Sequence, residues 1–108
     1  MSKYLVRVSF KPEGIRQVLT KAKATGLRSA VVKLVEAVGG KLEAWYFAFG
    51  EDDVIAIMDL SDNVAAASLS VAANSAGFVN LSITPLLTPE EMDKAIEKSG
   101  GLPVPGRA

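Results

Sequence analysis

From Tyr4 to Phe10 the chain puts Tyr4, Val6, Val8 and Phe10 on one side and Leu5, Arg7 and Ser9 on the other. A period of two with β-branched content predicts a strand. Pro12 and Gly14 close it, and from about 13 to 38 the apolar spacing becomes three and four. Ile15, Val18 and Leu19 make one stripe; Leu27, Ala30, Val31, Leu34, Val35 and Val38 make a longer one. This predicts a helix that bends or breaks near Thr25-Gly26. Gly39-Gly40 should stop it, because helix C-termini favour a residue that tolerates positive φ.

Two apolar runs follow, 41–49 and 53–60, separated only by a short acidic connection, so they should pair as a hairpin. Ser61-Asp62 offers an N-cap for a helix over about 62–76, whose Ala- and Ser-rich surface would let it lie close to a sheet. Gly77 ends that helix, and 78–86 alternates Val79, Leu81, Ile83 with Asn80, Ser82, Thr84 as a fourth strand. In LTPEEM, Thr88 is placed as N-cap, Pro89 at the first helical position and Glu91 three beyond the cap, the pattern of a capping box. Residues 100–108 show no periodicity and read as a flexible tail after a single domain, 1–99.

The order βαββαβ with an appended helix predicts an α+β, ferredoxin-like domain: an antiparallel sheet with both main helices on one face. The second strand is apolar on both sides, with Leu42, Ala44, Tyr46, Ala48 against Trp45, Phe47, Phe49, and the third sets Val54, Ala56, Met58 against Ile55, Ile57. A sheet with one wet face should alternate apolar with polar instead. A homodimer, its two sheets facing each other or closed into a dimeric α/β barrel, would shield that surface. The first and fourth strands, neighbours in such a sheet, bring Arg7, Ser9, Asn80, Ser82 and Thr84 to the helix-free face. A polar strip beside Trp45 or Tyr46 fits either a small-molecule pocket between two sheets or a hydrated interface rim. The ligand-binding candidates are therefore Arg7, Ser9, Trp45, Tyr46, Asn80 and Ser82.

Composition narrows the chemistry. The 108 residues contain no Cys and no His, which excludes disulfides, thiol nucleophiles, zinc ribbons and imidazole proton transfer. No metal site and no cofactor is expected. Net charge is zero, yet residues 1–41 hold nine Lys/Arg against two Asp/Glu, and residues 42–108 hold three against ten. The basic residues Arg16, Lys21, Lys23, Arg28 and Lys33 lie on one helical segment without interleaved aromatics. They read as a solvated helix face rather than a nucleic-acid surface. No apolar run approaches the roughly 20 residues that span a bilayer, and the N-terminus lacks a signal-peptide pattern, so a cytoplasmic protein is the expectation.

Several short stretches in order, Gly39-Gly40-Lys41-Leu42, Phe49-Gly50-Glu51-Asp52-Asp53-Val54, Asp62 before the Ala-rich helix, Gly77-Phe78-Val79, LTPEEM and the opening KPEGIR, resemble the GYD-domain family over about Tyr4 to Glu97. The resemblance implies a ferredoxin-like fold of the dimeric α/β-barrel type in a bacterial family without an established biochemical role. Gly50 and Asp53 fit the family's hairpin, whereas Asp52 stands where a Tyr is usual. Glu51, Asp52 and Asp53 read as turn residues rather than as a catalytic or cation site, because paired carboxylates need burial or a partner to separate their titrations. Asp53, opening the third strand, is expected to hold a fixed partner such as a nearby backbone N–H.

The leading functional reading is a homo-oligomeric module that binds a small molecule or a protein partner. The alternative is a cofactor-independent oxygenase or isomerase acting on a small aromatic or acidic substrate, with aromatics holding a flat ring, Arg7 an anionic oxygen and Asn80 orienting it; fold analogy alone supports it. A purely structural assembly unit is the third.

Overall fold

The computed structural model describes residues 1–106. Of the expected tail, residues 107 and 108 lie outside that range. Strands β1 (Ser2–Phe10), β2 (Lys41–Phe47), β3 (Val54–Leu60) and β4 (Val79–Pro85) form one antiparallel sheet in the order β2-β3-β1-β4. The helical elements are a short turn α1 (Pro12–Gly14), a π-helical turn (Ile15–Leu19), α2 (Thr20–Ala37), α3 (Asn63–Ser75) and α4 (Pro89–Ser99). The ferredoxin-like arrangement follows: the two outer connections are helical crossovers and the middle one is a hairpin.

Tyr4, Val6 and Val8 of β1 and Val54, Ala56, Met58 and Leu60 of β3 are buried together with Val35 of α2 and Ala66 and Leu69 of α3. Every second residue of the two central strands therefore faces the helices, as a period of two demands. Helix α2 lies over β2 and α3 over β4. Tyr4 keeps its hydroxyl satisfied on this face by donating to Asn63 Oδ1 at 2.7 Å. At the exposed edge of β4, the Asn74 side chain accepts from Leu81 N at 2.8 Å and donates to Leu81 O at 3.1 Å. One amide thus does there what a fifth strand would.

Helix ends follow local chemistry. Gly39 has φ of 76°; its N–H donates to Glu36 O at 2.9 Å and that of Gly40 to Val35 O at 3.0 Å. These two bonds make a Schellman motif that terminates α2. Asp62 caps α3 by accepting from Ala65 N at 2.9 Å. Before α4, Glu91 N donates to Thr88 Oγ1 at 3.1 Å and Thr88 N to Glu91 Oε1 at 2.9 Å, completing the capping box.

Two sequence expectations shift. The break in the first long helical segment falls at Lys23, with φ of 61° and ψ of 172°, and not at Thr25-Gly26. Gly26 continues the helix, and a Cβ there would meet the Ala22 Cβ at 3.4 Å. The second correction concerns β2. Leu42 pairs with Met58 and Ala44 with Ile57, so Glu43 is an extra, bulged residue. A bulge reverses the phase of alternation. Leu42 thereby joins Trp45 and Phe47 on the helix side, while Ala44 and Tyr46 face away. Glu43 and Asp59 both accept from Lys3 Nζ, at 2.7 and 2.9 Å.

Helix α4 has no buried residue, and the molecule is 59 Å long with a radius of gyration of 17.1 Å. A compact chain of this length would have a radius of about 13 Å. Met92 and Ile96 of this helix, and Leu87 just before its cap, are each at least half exposed. Its cap carries a pH dependence. The Thr88 backbone N–H, then the Thr88 hydroxyl, hold the Glu91 carboxyl below the usual carboxylate range. A depressed folded-state pKa contributes stability above the unfolded value, lost as pH falls through the folded one. The helical circular-dichroism signal should therefore decline on acidification below about pH 4, and Glu91→Ala should lower it at neutral pH and remove that acid step.

Candidate functional site

The face of the sheet away from α2 and α3 is built from cross-strand rows. One runs Ala44, Ile57, Leu5, Thr84; the next runs Tyr46, Ile55, Arg7, Ser82; beyond it Ser9 pairs with Asn80. The β2 and β3 half is apolar and the β4 half polar. Among the described residues no element covers the apolar half: Tyr46 is 70% and Ile55 37% exposed. Beside it, Arg7, Ser9, Asp52, Asn80 and Ser82 line a depression of about 270 Å³.

The structure therefore gathers four of the six candidate residues, Arg7, Ser9, Asn80 and Ser82. Tyr46 shares their face but sits two strands from Arg7, about 10 Å at ordinary strand spacing. Trp45 lies on the other side of the sheet, in the row with Ala56, Val6 and Ile83 beneath the helices. Consecutive residues of a strand point to opposite faces, so only one of Trp45 and Tyr46 could join the strip. The pairing of β2 decides that it is Tyr46.

Asp52 is the member that sequence reasoning missed. Its Oδ2 is 3.3 Å from Arg7 Nε, with the Arg7 side chain 55% and the Asp52 side chain 21% exposed. The acidic connection marked it only as a turn residue, because a loop residue's reach over a neighbouring strand is not written in local sequence. Exposed ion pairs contribute only about 0–1 kcal/mol. Asp52 is thus a displaceable partner, and an anionic or carbonyl oxygen entering the depression would compete with it for the guanidinium. Asn80, Ser82 and Ser9 add further donors and acceptors.

The acidic hairpin does not act as one unit. β2 ends at Phe47 and the connection spans residues 48–53, longer than the short connection expected between runs 41–49 and 53–60. Asp53 Oδ2 accepts from Phe10 N at 2.7 Å, and Asp53 N donates to Val8 O at 2.8 Å, so the loop is stitched to the end of β1. The expected backbone partner of Asp53 is this Phe10 N–H. Removing the carboxylate leaves a half-buried donor unpaired, which costs about 1–3 kcal/mol. Asp53→Ala should lower the unfolding free energy read from urea denaturation by that amount, and Asp53→Asn, which keeps an acceptor, by less. Among the described residues no three Asp or Glu side chains converge to hold a metal ion.

No helix of the described residues is long and apolar enough to cross a membrane. Comparison with curated proteins yields no match. Comparison with solved structures yields none either. The family profile described as GYD domain matches residues 4–96. The sheet order, the hairpin stitched by Asp53 and this match across most of the 108 residues agree, and the chain belongs to the GYD-domain family.

Proposed function

We propose that the domain is a self-associating binding module, in which two copies bury their open sheet faces against each other and enclose the depression at Arg7. The observation that carries this reading is the uncovered apolar half of the face, Leu5, Ile55, Ile57 and Tyr46, lying directly beside a polar strip. Apolar surface left in water forfeits about 25 cal/mol per Å², and an identical surface is the partner every copy of the chain has at hand. The exposed apolar side chains of α4 support association further, because an arm with no buried residue gains burial only against another body. The ligand is a small molecule bearing a carboxylate or carbonyl oxygen, received by Arg7 in place of Asp52 and oriented by Asn80 and Ser82.

Sedimentation velocity over a concentration series, followed by thermal-shift measurements with amino acids and aromatic acids, tests both halves. The chain should sediment as a dimer at tens of micromolar. A ligand at 100 times its Kd should raise the unfolding free energy by about 2.7 kcal/mol. Arg7→Ala should leave association intact and abolish that shift. A monomer at all concentrations, or a ligand response indifferent to Arg7, refutes the respective half.

A further inference from the structure

A cavity of about 130 Å³ lies on the helix side of the sheet, where α2 rests over β2 and α3 over β4 and the space between the two helices stays open. Val31 and Leu34 of α2, Leu69 and Ala73 of α3 and Trp45 and Leu81 of the sheet form part of its wall, and no charged side chain lines it. Its mouth is not sealed: Leu34 is exposed, and Val31, Trp45 and Leu81 are only partly buried. Water gains little from such a wall, since a buried water needs two to four polar partners. The chain thus carries an apolar cleft that none of its described elements fills, and in α4 an amphipathic helix that lies in no cleft.

Met92, Ala95 and Ile96 are three and four residues apart, so they share one side of α4. The helix is held away from the cleft of its own chain. Leu86 N donates to Lys3 O at 2.9 Å and Thr88 opens the capping box, so only Leu87 lies between two fixed points. α4 leaves the sheet at the Tyr4–Pro85 end, whereas Leu81 of the cleft pairs with Val8 toward the other end. Charge selects what the arm meets. α4 carries Glu90, Glu91, Asp93 and Glu97 against Lys94 and Lys98, four acidic to two basic, a balance of −2. The segment that leads into and forms the α2 wall has five Lys/Arg and no Asp/Glu between residues 16 and 33, and α3 has no charged residue. An acidic arm is favoured beside a basic wall, and an anionic membrane surface would repel it. We infer that α4 of one copy docks in the cleft between α2 and α3 of a second copy, with Met92 and Ile96 entering the cavity and the acidic side chains lying along the basic α2 segment. Each copy offers both an arm and a cleft, so the contact is heterologous and closes where two copies exchange arms. It lies across the sheet from the open face and does not depend on the pairing proposed above. It is the weaker of the two contacts, because it buries two large apolar side chains where the open face buries four.

The chain has no cysteine of its own, so a nitroxide can be attached at Lys94→Cys alone, on the face of α4 opposite Met92 and Ile96. This full-length chain, at natural isotopic abundance, is mixed with a full-length chain whose methyl groups are isotopically labelled. Any paramagnetic broadening of those methyls then arises between copies. Both chains carry Ile55→Lys, which disables the proposed open-face contact, so a failure of that pairing and a failure of the arm contact are read separately. The methyl resonances of Val31, Leu34 and Leu69 should lose intensity as the concentration of the spin-labelled chain rises, while those of Leu5 and Ile57 on the open face keep theirs. Met92→Gln with Ile96→Gln in the spin-labelled chain keeps the helix propensity and the charge. The pair should raise the concentration at half-maximal broadening about tenfold or more, because two apolar side chains lose their burial. No loss at the cleft methyls at any attainable concentration, equal loss at Leu5 and Ile57, or a midpoint unmoved by the two Gln substitutions would each overturn the assignment. α4 buries nothing within its own chain, so these variants leave the domain folded.

Discussion

Gly14→Ala should cost the domain about 3 kcal/mol, the upper part of the range for overpacking a filled interior. Gly14 is buried at the end of α1, and a Cβ built on it would lie 2.1 Å from Phe78 O and 3.0 Å from Phe78 C. Both obstacles are backbone, and Phe78 O is already held by the Lys11 N–H at 3.0 Å. Neither side can swing away as a flexible side chain would, so relief requires the start of β4 to separate from the junction after β1. Domains of this size hold only about 5–15 kcal/mol in total, and each kcal/mol shifts Tm by about 4–8 °C. A fall of roughly 12–24 °C in a calorimetric scan is therefore expected. Gly50→Ala is the matched control: nothing lies within 4 Å of its Cβ position, and its effect should stay within about 0.5 kcal/mol. A loss below about 1 kcal/mol at Gly14 would mean that the 12–14 turn and Phe78 are not in close contact in solution.

The second large effect concerns association. Under the proposed pairing of open faces, Ile55→Lys should weaken association by about 100-fold or more while leaving the fold in place. Ile55 lies opposite Arg7 on one side and Tyr46 on the other, at the middle of the face with no covering element. In the isolated chain it is 37% exposed, so the ammonium can reach water and the fold loses only the like-charge opposition to Arg7, about 0.2–1 kcal/mol. Across a closed interface the same ammonium would be desolvated without a partner, at a cost of several kcal/mol per protomer. Each 1.4 kcal/mol is a factor of ten in the dissociation constant. Ile55→Val, smaller but apolar, should associate nearly as the parent does. Equal sedimentation of Ile55→Lys and the parent chain would place any dimer contact on another surface, and α4, with Met92 and Ile96 uncovered, would be the next to examine.

Much of this protein is determined by its sequence alone, wherever the deciding physics is local. Strand and helix periods, the cap at Asp62, the capping box of Thr88 and Glu91 and the positive φ of Gly39 all depend on residues within a turn or so of one another. Element order then leaves few topologies, which is why the ferredoxin-like sheet is legible in the sequence. Asp53 belongs with these, since a carboxylate at the mouth of a hairpin has backbone donors close by. Tertiary structure alone decided which residues meet. The bulge at Glu43 arises from matching β2 to β3 across the sheet, and it put Leu42 on the Trp45 side. Pairing register sent Trp45 beneath the helices and left Tyr46 with Arg7, and the reach of a loop brought Asp52 to the guanidinium. The cavity beside Trp45 exists only because α2 and α3 rest on the sheet without filling the space between them. Such features are sums over residues distant in the chain, and no window of sequence contains both sides of the contact.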